Sequence, residues 1–388
     1  MRVKELFFVQ PKGEREGRGS PDLLYLFLVL CMLVFGAAMS YSASAVYGKQ
    51  FYGDGTYFFK RYVLFAALSA LVTVPCILFA KPAFWRVFGV CLYGISLFLL
   101  VLVLLIGTVG GGAQRWLVLG PLTIQPSEIA KLALVLVLAL VLSRYEEKVV
   151  SKKRGGGSVR YGVLLPGALI SLVCLLVAAE KHISGLMILA MIGVAMMFLG
   201  GTRWRYLGMM ALVVVLAGTL LILVSSYAQV RVNTWLHIEE VDPLGSAWQT
   251  LQGLYAIGSG GFFGLGFGNG RQKHGYVSQP QNDFIFTVIC EELGFVGAFF
   301  VVLLFVLLVV RGFRIASRAP DRFSSLAVYG ISLKLALQAI LNVAVVTNSM
   351  PNTGVSLPFF SSGGTFLAMQ IFEMGIVLSI SRYSTQKR

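Results

Sequence analysis

Apolar runs of about 20 residues recur from one end of this chain to the other, and each is long enough to cross the hydrocarbon core of a bilayer as a helix. Ten such spans fit the hydropathy, at approximately 23–46, 62–80, 87–106, 124–142, 162–179, 185–200, 206–225, 284–310, 323–346 and 364–380. In lipid the backbone must satisfy its own hydrogen bonds, which leaves helices and closed barrels. The short alternating segments of a barrel are absent. Composition agrees, with 57% of the 388 residues hydrophobic, only 13% charged and a mean hydropathy of +0.81; a soluble chain carries about a quarter charged residues. The expected fold class is all-α: a polytopic membrane bundle of ten transmembrane helices, with a large extracellular loop between helices 7 and 8.

The net charge of +15 raises the question of nucleic acid, and its placement answers it. No basic stretch is interleaved with aromatics, so no nucleic-acid partner is expected. With the N-terminus inside, most of the 32 Lys and Arg fall in the inner links, including 143–160 with Gly155-Gly156-Gly157 and 311–322. The positive-inside bias therefore predicts cytoplasmic termini. The first apolar run, from Leu23, is too long for a signal h-region and reads as a retained span. Expected boundaries are a cytoplasmic tail 1–22, one membrane domain 23–381 containing the outer loop 225–283, and a cytoplasmic tail 382–388. Cys31, Cys76, Cys91, Cys174 and Cys290 all lie inside spans, without paired spacing, and read as packing residues.

The outer loop is the polar exception. It carries Trp248-Gln249, seven glycines between Gly258 and Gly270, then Arg271, Lys273 and Gln281-Asn282-Asp283-Phe284, where the next span begins at an acid. A link of this length is usually functional or partly helical. Spacing predicts an amphipathic surface helix over 248–257, with Trp248, Leu251, Leu254 and Tyr255 on one side. Two readings of Asp283 stand side by side. An acid at a helix start serves as an N-cap, and an acid at the mouth of a membrane span is a functional candidate because its charge is costly there. Continued as a helix, Thr287, Cys290, Gly294 and Gly297 share its face. Glu291 and Glu292 lie deeper, as packing or pathway residues.

Other polar residues fall where lipid makes them costly. Glu128 and Lys131, three apart behind Pro126, share a helix face and can pair. Upstream, Gly110 to Trp116 reads as a tight loop bearing Arg115. A structural ion pair and an anionic-headgroup site, with Arg115 and Lys131 as ligands, fit these residues equally. Glu180 and Glu373 complete the set of acids in or beside spans. Asn348 to Gly364, with Pro351, Gly354 and Pro358, suggests a re-entrant or broken segment, an ordinary turn being the alternative. His182, His237 and His274 are dispersed and show no metal-ligand spacing.

Five stretches in order resemble the SEDS family (shape, elongation, division and sporulation), whose members include FtsW, RodA and SpoVE. They are Tyr41-Ser42-Ala43-Ser44-Ala45; Gly112-Ala113-Gln114-Arg115-Trp116; Pro126 to Lys131; Asp283-Phe284-Ile285-Phe286 with Glu291-Glu292-Leu293-Gly294; and Thr353-Gly354 through Leu357-Pro358 to Gly363-Gly364. The resemblance covers Asp22 to about Ser381, and Pro280 to Asp283 with the Glu180 segment inclines it to the FtsW and SpoVE side. It implies a peptidoglycan glycosyltransferase of the bacterial cytoplasmic membrane. Its substrate would be lipid II, the undecaprenyl-pyrophosphate-linked disaccharide-pentapeptide, used at an extracytoplasmic active site beside a class B penicillin-binding protein transpeptidase. Asp283 would be the catalytic residue. Thr353, Pro358, Glu291 and Glu292 would be supporting residues. The chain departs from the family at Ser278-Gln279, where a glutamate is usual, and at Ser356 and Ser362.

The chemistry is compatible with these residues. Attack of a sugar hydroxyl on an anomeric carbon bearing pyrophosphate, with inversion, needs one general base and positive charge for the leaving group. Arg115, Lys131, Arg271 and Lys273 are candidate cations, with Glu128 and Trp248 as further substrate contacts. A divalent metal, Mg or Mn, is left open, and no organic cofactor is called for. A flippase for the lipid-linked precursor and a non-catalytic scaffold for the transpeptidase are the competing readings.

Overall fold

The computed structural model describes residues 19–110, 113–120, 122–150, 159–242 and 244–384. Most of the N-terminal tail, Gly111 and Gly112 of the Arg115 motif, the Gly155–Gly157 stretch and residues 385–388 of the C-terminal tail lie outside them. Helices are numbered in chain order: α1 Leu23–Tyr52, α2 Tyr57–Phe79, α3 Pro82–Ile106, α4 Pro126–Arg144, α5 Glu146–Val150, and α6 Leu165–Ala179 entered through a π-turn Arg160–Leu164. They continue with α7 Ile183–Leu199, α8 Trp204–Val224, α9 Ser226–Leu236, α10 Trp248–Gly260, α11 Ile285–Ser317, α12 Arg322–Val346 and α13 Gly364–Ser381. Among the described residues nine helices are long and apolar enough to span a membrane, and α7, at 17 residues, is a shorter apolar helix. Together they make the ten expected.

The links after α1, α3, α6, α8 and α12 alternate onto one end of the bundle. One of these differs from expectation. The stretch expected to be a tight loop is a small antiparallel meander, β1 Thr108–Gly110, β2 Ala113–Leu119 and β3 Leu122–Ile124. The outer loop is partly helical, as expected, holding α9 and α10, and α10 covers the helix expected over 248–257. Helix α10 does not pack through the Trp248–Tyr255 side; Tyr255 is exposed, and the buried face is Thr250, Gly253, Ala256 and Gly260. A methyl at Gly253 would press on Phe284, and one at Gly260 would strike the Cys290 carbonyl, so small residues let α10 approach α11 at backbone distance.

Helix α4 is the axis of the bundle, buried along nearly its whole length. Pro126 at its first turn, after extended Gln125, starts it where a missing N–H costs nothing. Small residues fit neighbouring helices to it: Gly89 of α3 faces Leu136, and Gly330 of α12 faces Val135 and Met196. At the opposite end two aspartates combine capping with ion pairing. Asp22 accepts from the Tyr25 amide and pairs with Arg311 at 2.7 Å. Asp321 accepts from the Ser324 amide and pairs with Arg86 at 3.3 Å.

The face expected to run from Asp283 along α11 is interrupted. Gly294 has φ 65° and ψ −163°, a conformation open essentially to glycine, and it breaks the helix. The glycine-rich stretch fills the break. Leu265 and Gly266 donate their amides to the Glu291 and Glu292 carbonyls, and the Phe295 and Val296 amides donate to the Gly261 and Phe262 carbonyls. Four backbone groups that a membrane interior would leave unsatisfied are thereby paired. A glycine series that could be read as a ligand loop is a plug for a broken helix.

Lys334 of α12 and Glu373 of α13 form a fully enclosed ion pair, beside the Gln338–Gln370 hydrogen bond of 3.1 Å. Removing one half of such a pair leaves a buried charge and typically costs about 3–5 kcal/mol. Lys334→Met is expected to lower the thermal unfolding midpoint in detergent clearly. The double variant Lys334→Met/Glu373→Met should regain most of that loss. An unchanged midpoint in the single variant would rule out a stability role for the pair.

Candidate active site

A cavity of about 450 Å³ lies at the looped end of the bundle, between the meander, α4, the α6–α7 turn, the segment before α11 and the segment before α13. Arg115, Glu128, Lys131 and Asp283 all line it, so residues up to 168 positions apart meet in one chamber. Lys131 donates to Glu128 at 2.7 Å, and among the described residues the other Glu128 oxygen is buried without a partner. The Arg115 Nε is also buried and unpartnered among the described residues. An unpaired buried N–H is costly unless something accepts from it, so this wall offers a free donor beside the Lys131–Glu128 pair.

Asp283 is not an N-cap. Phe284 holds the capping position of α11 and makes no side-chain capping bond. The Asp283 carboxylate instead accepts from the Ser356 hydroxyl at 2.8 Å. Its backbone is pinned by Asn342, whose amide donates to the Asp283 carbonyl at 2.8 Å and to the Val355 carbonyl at 2.6 Å. Ser361 and Ser362 bond Asn282, and the Ser362 amide bonds the Gln281 carbonyl. The segment 348–363 is neither a helix nor an ordinary exposed turn; it is irregular and largely buried from Val355 onward, stitched to 281–283. Gly354 adopts φ 69°, and a Cβ there would sit 3.0 Å from the Asp283 carboxylate. Glycine is therefore required twice over, for conformation and for room.

Burial pushes the Asp283 carboxyl above the ordinary carboxylate range, while the Ser356 hydrogen bond and the charges of Arg115 and Arg231 pull the other way. His182 lines the same cavity. Burial, with Arg115 and Lys131 nearby, lowers its imidazole to about 3, so it is neutral. Burial raises Glu180 next to it to about 8, with neither carboxyl oxygen partnered.

Several candidates lie elsewhere. Lys273 does not face the cavity: it is buried, pairs with Glu292 at 2.7 Å and donates to Ser42 of α1. It is a structural cation, already neutralised, and not a ligand for pyrophosphate. Neither Arg271 nor Trp248 lines the chamber. Glu291 accepts from the Arg271 and Gln272 amides and Glu292 from the Gly268 amide, so both carboxylates hold the plug loop. Thr353 precedes cavity-lining Gly354, with its hydroxyl buried and unpartnered; Pro358 is buried away from the lining. Conversely Ser356, Asn342, His182 and Arg231 were not singled out as site residues from sequence. Ser356 was visible there only as a departure.

A protein-held metal does not fit the donor set. Among the described residues no three carboxylate, imidazole or thiol groups converge. Glu128 and Asp283 each have one carboxylate oxygen engaged, by Lys131 and by Ser356.

Comparison with known proteins places the chain. The family profile described as "Cell cycle protein", covering FtsW, RodA and SpoVE, matches residues 22–386. Stage V sporulation protein E of Bacillus subtilis is 37% identical over 368 residues, covering 94% of this chain and 98% of that protein. A probable peptidoglycan glycosyltransferase FtsW of Trichlorobacter lovleyi is 38% identical, covering 93% of both. A chain from the structure described as "Structural coordination of polymerization and crosslinking by a peptidoglycan synthase complex" superposes with a TM-score of 0.75 at 30% identity, over 95% of this chain and 99% of that one. The rod shape determining protein RodA of Thermus thermophilus superposes at 0.69 with 28% identity, over 95% and 98%. The chain belongs to the FtsW/RodA/SpoVE family of polytopic membrane proteins.

The plug loop offers a direct test of its anchors. Glu292→Gln removes the charge from the Lys273 pair and from the Gly268 contact, and hydrogen bonds to charged groups contribute about 1.5–3 kcal/mol. Amide exchange at Gly268 to Lys273 is expected to accelerate at least roughly tenfold, with exchange in α4 unchanged. Equal protection in both proteins would remove Glu292 as the anchor.

Proposed function

We propose that this chain is a peptidoglycan glycosyltransferase that polymerises lipid II, with Asp283 as general base in the 450 Å³ cavity. One observation carries the reading: the acid at the head of α11 is withheld from capping its own helix and is held by Ser356 in a chamber walled by cations. The family relatives named as probable peptidoglycan glycosyltransferases support the same class.

In this mechanism the acceptor sugar hydroxyl attacks the anomeric carbon of the donor. Its proton passes to the Asp283 carboxylate as the new glycosidic bond forms, and the bond from the anomeric carbon to the pyrophosphate oxygen breaks with inversion. Arg115, with its unsatisfied Nε, and Lys131 stabilise the charge that grows on the leaving pyrophosphate, the task of fixed cations aimed at developing charge. Glu128 positions Lys131. Neutral His182 adds no competing positive charge. Any divalent Mg or Mn would arrive on the pyrophosphate itself, since the wall provides no cage for it.

The bias of Lys and Arg to the links opposite the cavity supports cytoplasmic termini and an extracytoplasmic site in the bacterial cytoplasmic membrane. The one membrane domain 23–381, with its outer loop 225–283, would carry the whole reaction. A class B penicillin-binding protein is the partner this reading calls for. The similar chain taken from a polymerising and cross-linking complex supports it.

The test is polymerisation by purified protein of lipid II supplied on the outer face of vesicles, with and without divalent metal and transpeptidase. Asp283→Asn is expected to lose about 10²–10⁴-fold in rate with an unchanged unfolding midpoint. Normal polymerisation by that variant sinks the assignment, and unchanged lipid II with wild type would leave the transporter reading.

The pH profile carries a second expectation. A general base works only when ionised, so the rate should climb as pH rises through the raised Asp283 value, above the usual carboxylate range. Ser356→Ala removes a bond that favours the carboxylate, so the acid limb should move to higher pH. A limb that stays in place would show that Ser356 does not tune Asp283.

A further inference from the structure

A second cavity, of about 220 Å³, opens beside the first on the looped end of the bundle. It lies between α9, the start of α10 and the beginning of the 348–363 segment. Arg231, Thr234, Trp235, Gln249, Asn348 and Asn352 line it. Asn352 stands two residues before Gly354, which lines the main cavity, so one segment borders both chambers. Arg231 donates to the Asn352 carbonyl, and its charge also reaches the Asp283 carboxyl and lowers it. The two chambers are thus neighbours across a single strip of backbone.

The lining has a distinct chemistry. It contains three side-chain amides, three hydroxyls (Thr234, Ser246 and Thr250), an indole, one guanidinium and Val230, and no carboxylate. The wall is arranged in advance of any ligand. The Trp235 Nε1 donates to the Asn348 carbonyl at 2.9 Å, Thr234 and Ser246 share a hydroxyl bond of 2.8 Å, and the Gln249 amide donates to the Ser278 carbonyl at 3.3 Å. Asn348 itself sits at φ 55°, the left-handed region that asparagine tolerates better than most residues.

A pyrophosphate would need more than one cation, and the single guanidinium here already donates to a carbonyl. A lipid tail would need an apolar lining. A lining with an indole among fixed amides and hydroxyls matches a neutral polyhydroxylated ring, whose C–H face packs on aromatic carbon and whose hydroxyls bond. The volume suits one pyranose ring and not a folded peptide.

We propose that this second cavity is a saccharide subsite, which holds one neutral amino-sugar ring of the glycan next to the ring reacting at Asp283. The proposal rests on the polymerase reading for its substrate and on its own lining for its chemistry. The subsite would keep the strand in register between successive additions and set how far a chain grows before release.

The test uses the full-length Asp283→Asn protein in detergent and a soluble β-1,4-linked N-acetylglucosamine tetramer as the probe, titrated by calorimetry. Asn348→Gly keeps the left-handed backbone and deletes the amide; Trp235→Leu deletes the aromatic face. Each is expected to weaken binding at least about tenfold, the effect of losing one contact of about 1.4 kcal/mol. Trp235→Phe, which keeps an aromatic face, should bind within about threefold of the parent. In the otherwise wild-type enzyme, Asn348→Gly should raise the KM for lipid II and shorten the glycans while kcat holds.

Absence of saccharide binding overturns the proposal, and so does binding that all three variants leave unchanged. Loss of binding confined to Trp235→Leu, accompanied by a lowered unfolding midpoint, would count as damage to the fold, and with Asn348→Gly binding unchanged it would also overturn the proposal. The polymerase reading fails separately, through an active Asp283→Asn, and the calorimetry still judges the subsite in that case.

Discussion

Water is missing where most of this chain lives, and each polar group there must find its partner inside the protein. That constraint shapes every feature of the functional end. The break in α11 at Gly294 frees four backbone groups, and the loop 261–266 is threaded in to bond them. The loop in turn is anchored by Glu291 and Glu292, and the second of these is neutralised by Lys273, which reaches Ser42 of the first helix. Deeper, Lys334 and Glu373 neutralise one another. Among the described residues, three of the buried polar atoms left without a partner, the Arg115 Nε, one Glu128 oxygen and the Thr353 hydroxyl, lie in or beside the main cavity.

The same constraint separates anchoring charges from available ones. Lys273 and Arg115 both follow glycine-rich stretches at the same end of the bundle, and as residues they are interchangeable candidates for an anion. Lys273 is spent in an ion pair that holds the loop, whereas Arg115 keeps an unpaired donor in the chamber. Asp283 shows the division from the acidic side. Its backbone is fixed by Asn342 and one carboxyl oxygen by Ser356, so its position is set without a cation bound directly to it. A carboxylate held in this way is oriented while its second oxygen stays outside the Ser356 bond.

Ser356 illustrates how far a departure from a family pattern can be misread. In the chain it is one altered letter in a loop; in the fold it is the hydrogen-bond donor to Asp283, 73 residues away. Asn342 and Arg231 were equally silent, since nothing within ten residues of either refers to Asp283. The N-cap reading of Asp283, by contrast, was a sound local inference. It failed because α11 begins one residue later than hydropathy suggests and Ser356 takes up the carboxylate.

The spans were legible because hydropathy is a property of consecutive residues. The observed ends of the ten spans fall within seven residues of those read from the chain. Asp283, Arg115, Glu128 and Lys131 could be singled out for the same reason: a charge in an apolar run is anomalous wherever the run folds. The amino-acid order therefore determined a ten-helix membrane protein and which charges were expensive. Tertiary structure decided which of those charges meet. It placed four in one chamber and locked Lys273 and Glu292 together beneath a loop. It also set Trp235, Gln249 and Asn348 around a smaller cavity next door. Pairing depends on helix packing and on a broken turn at Gly294, and both bring together residues that no sequence window contains.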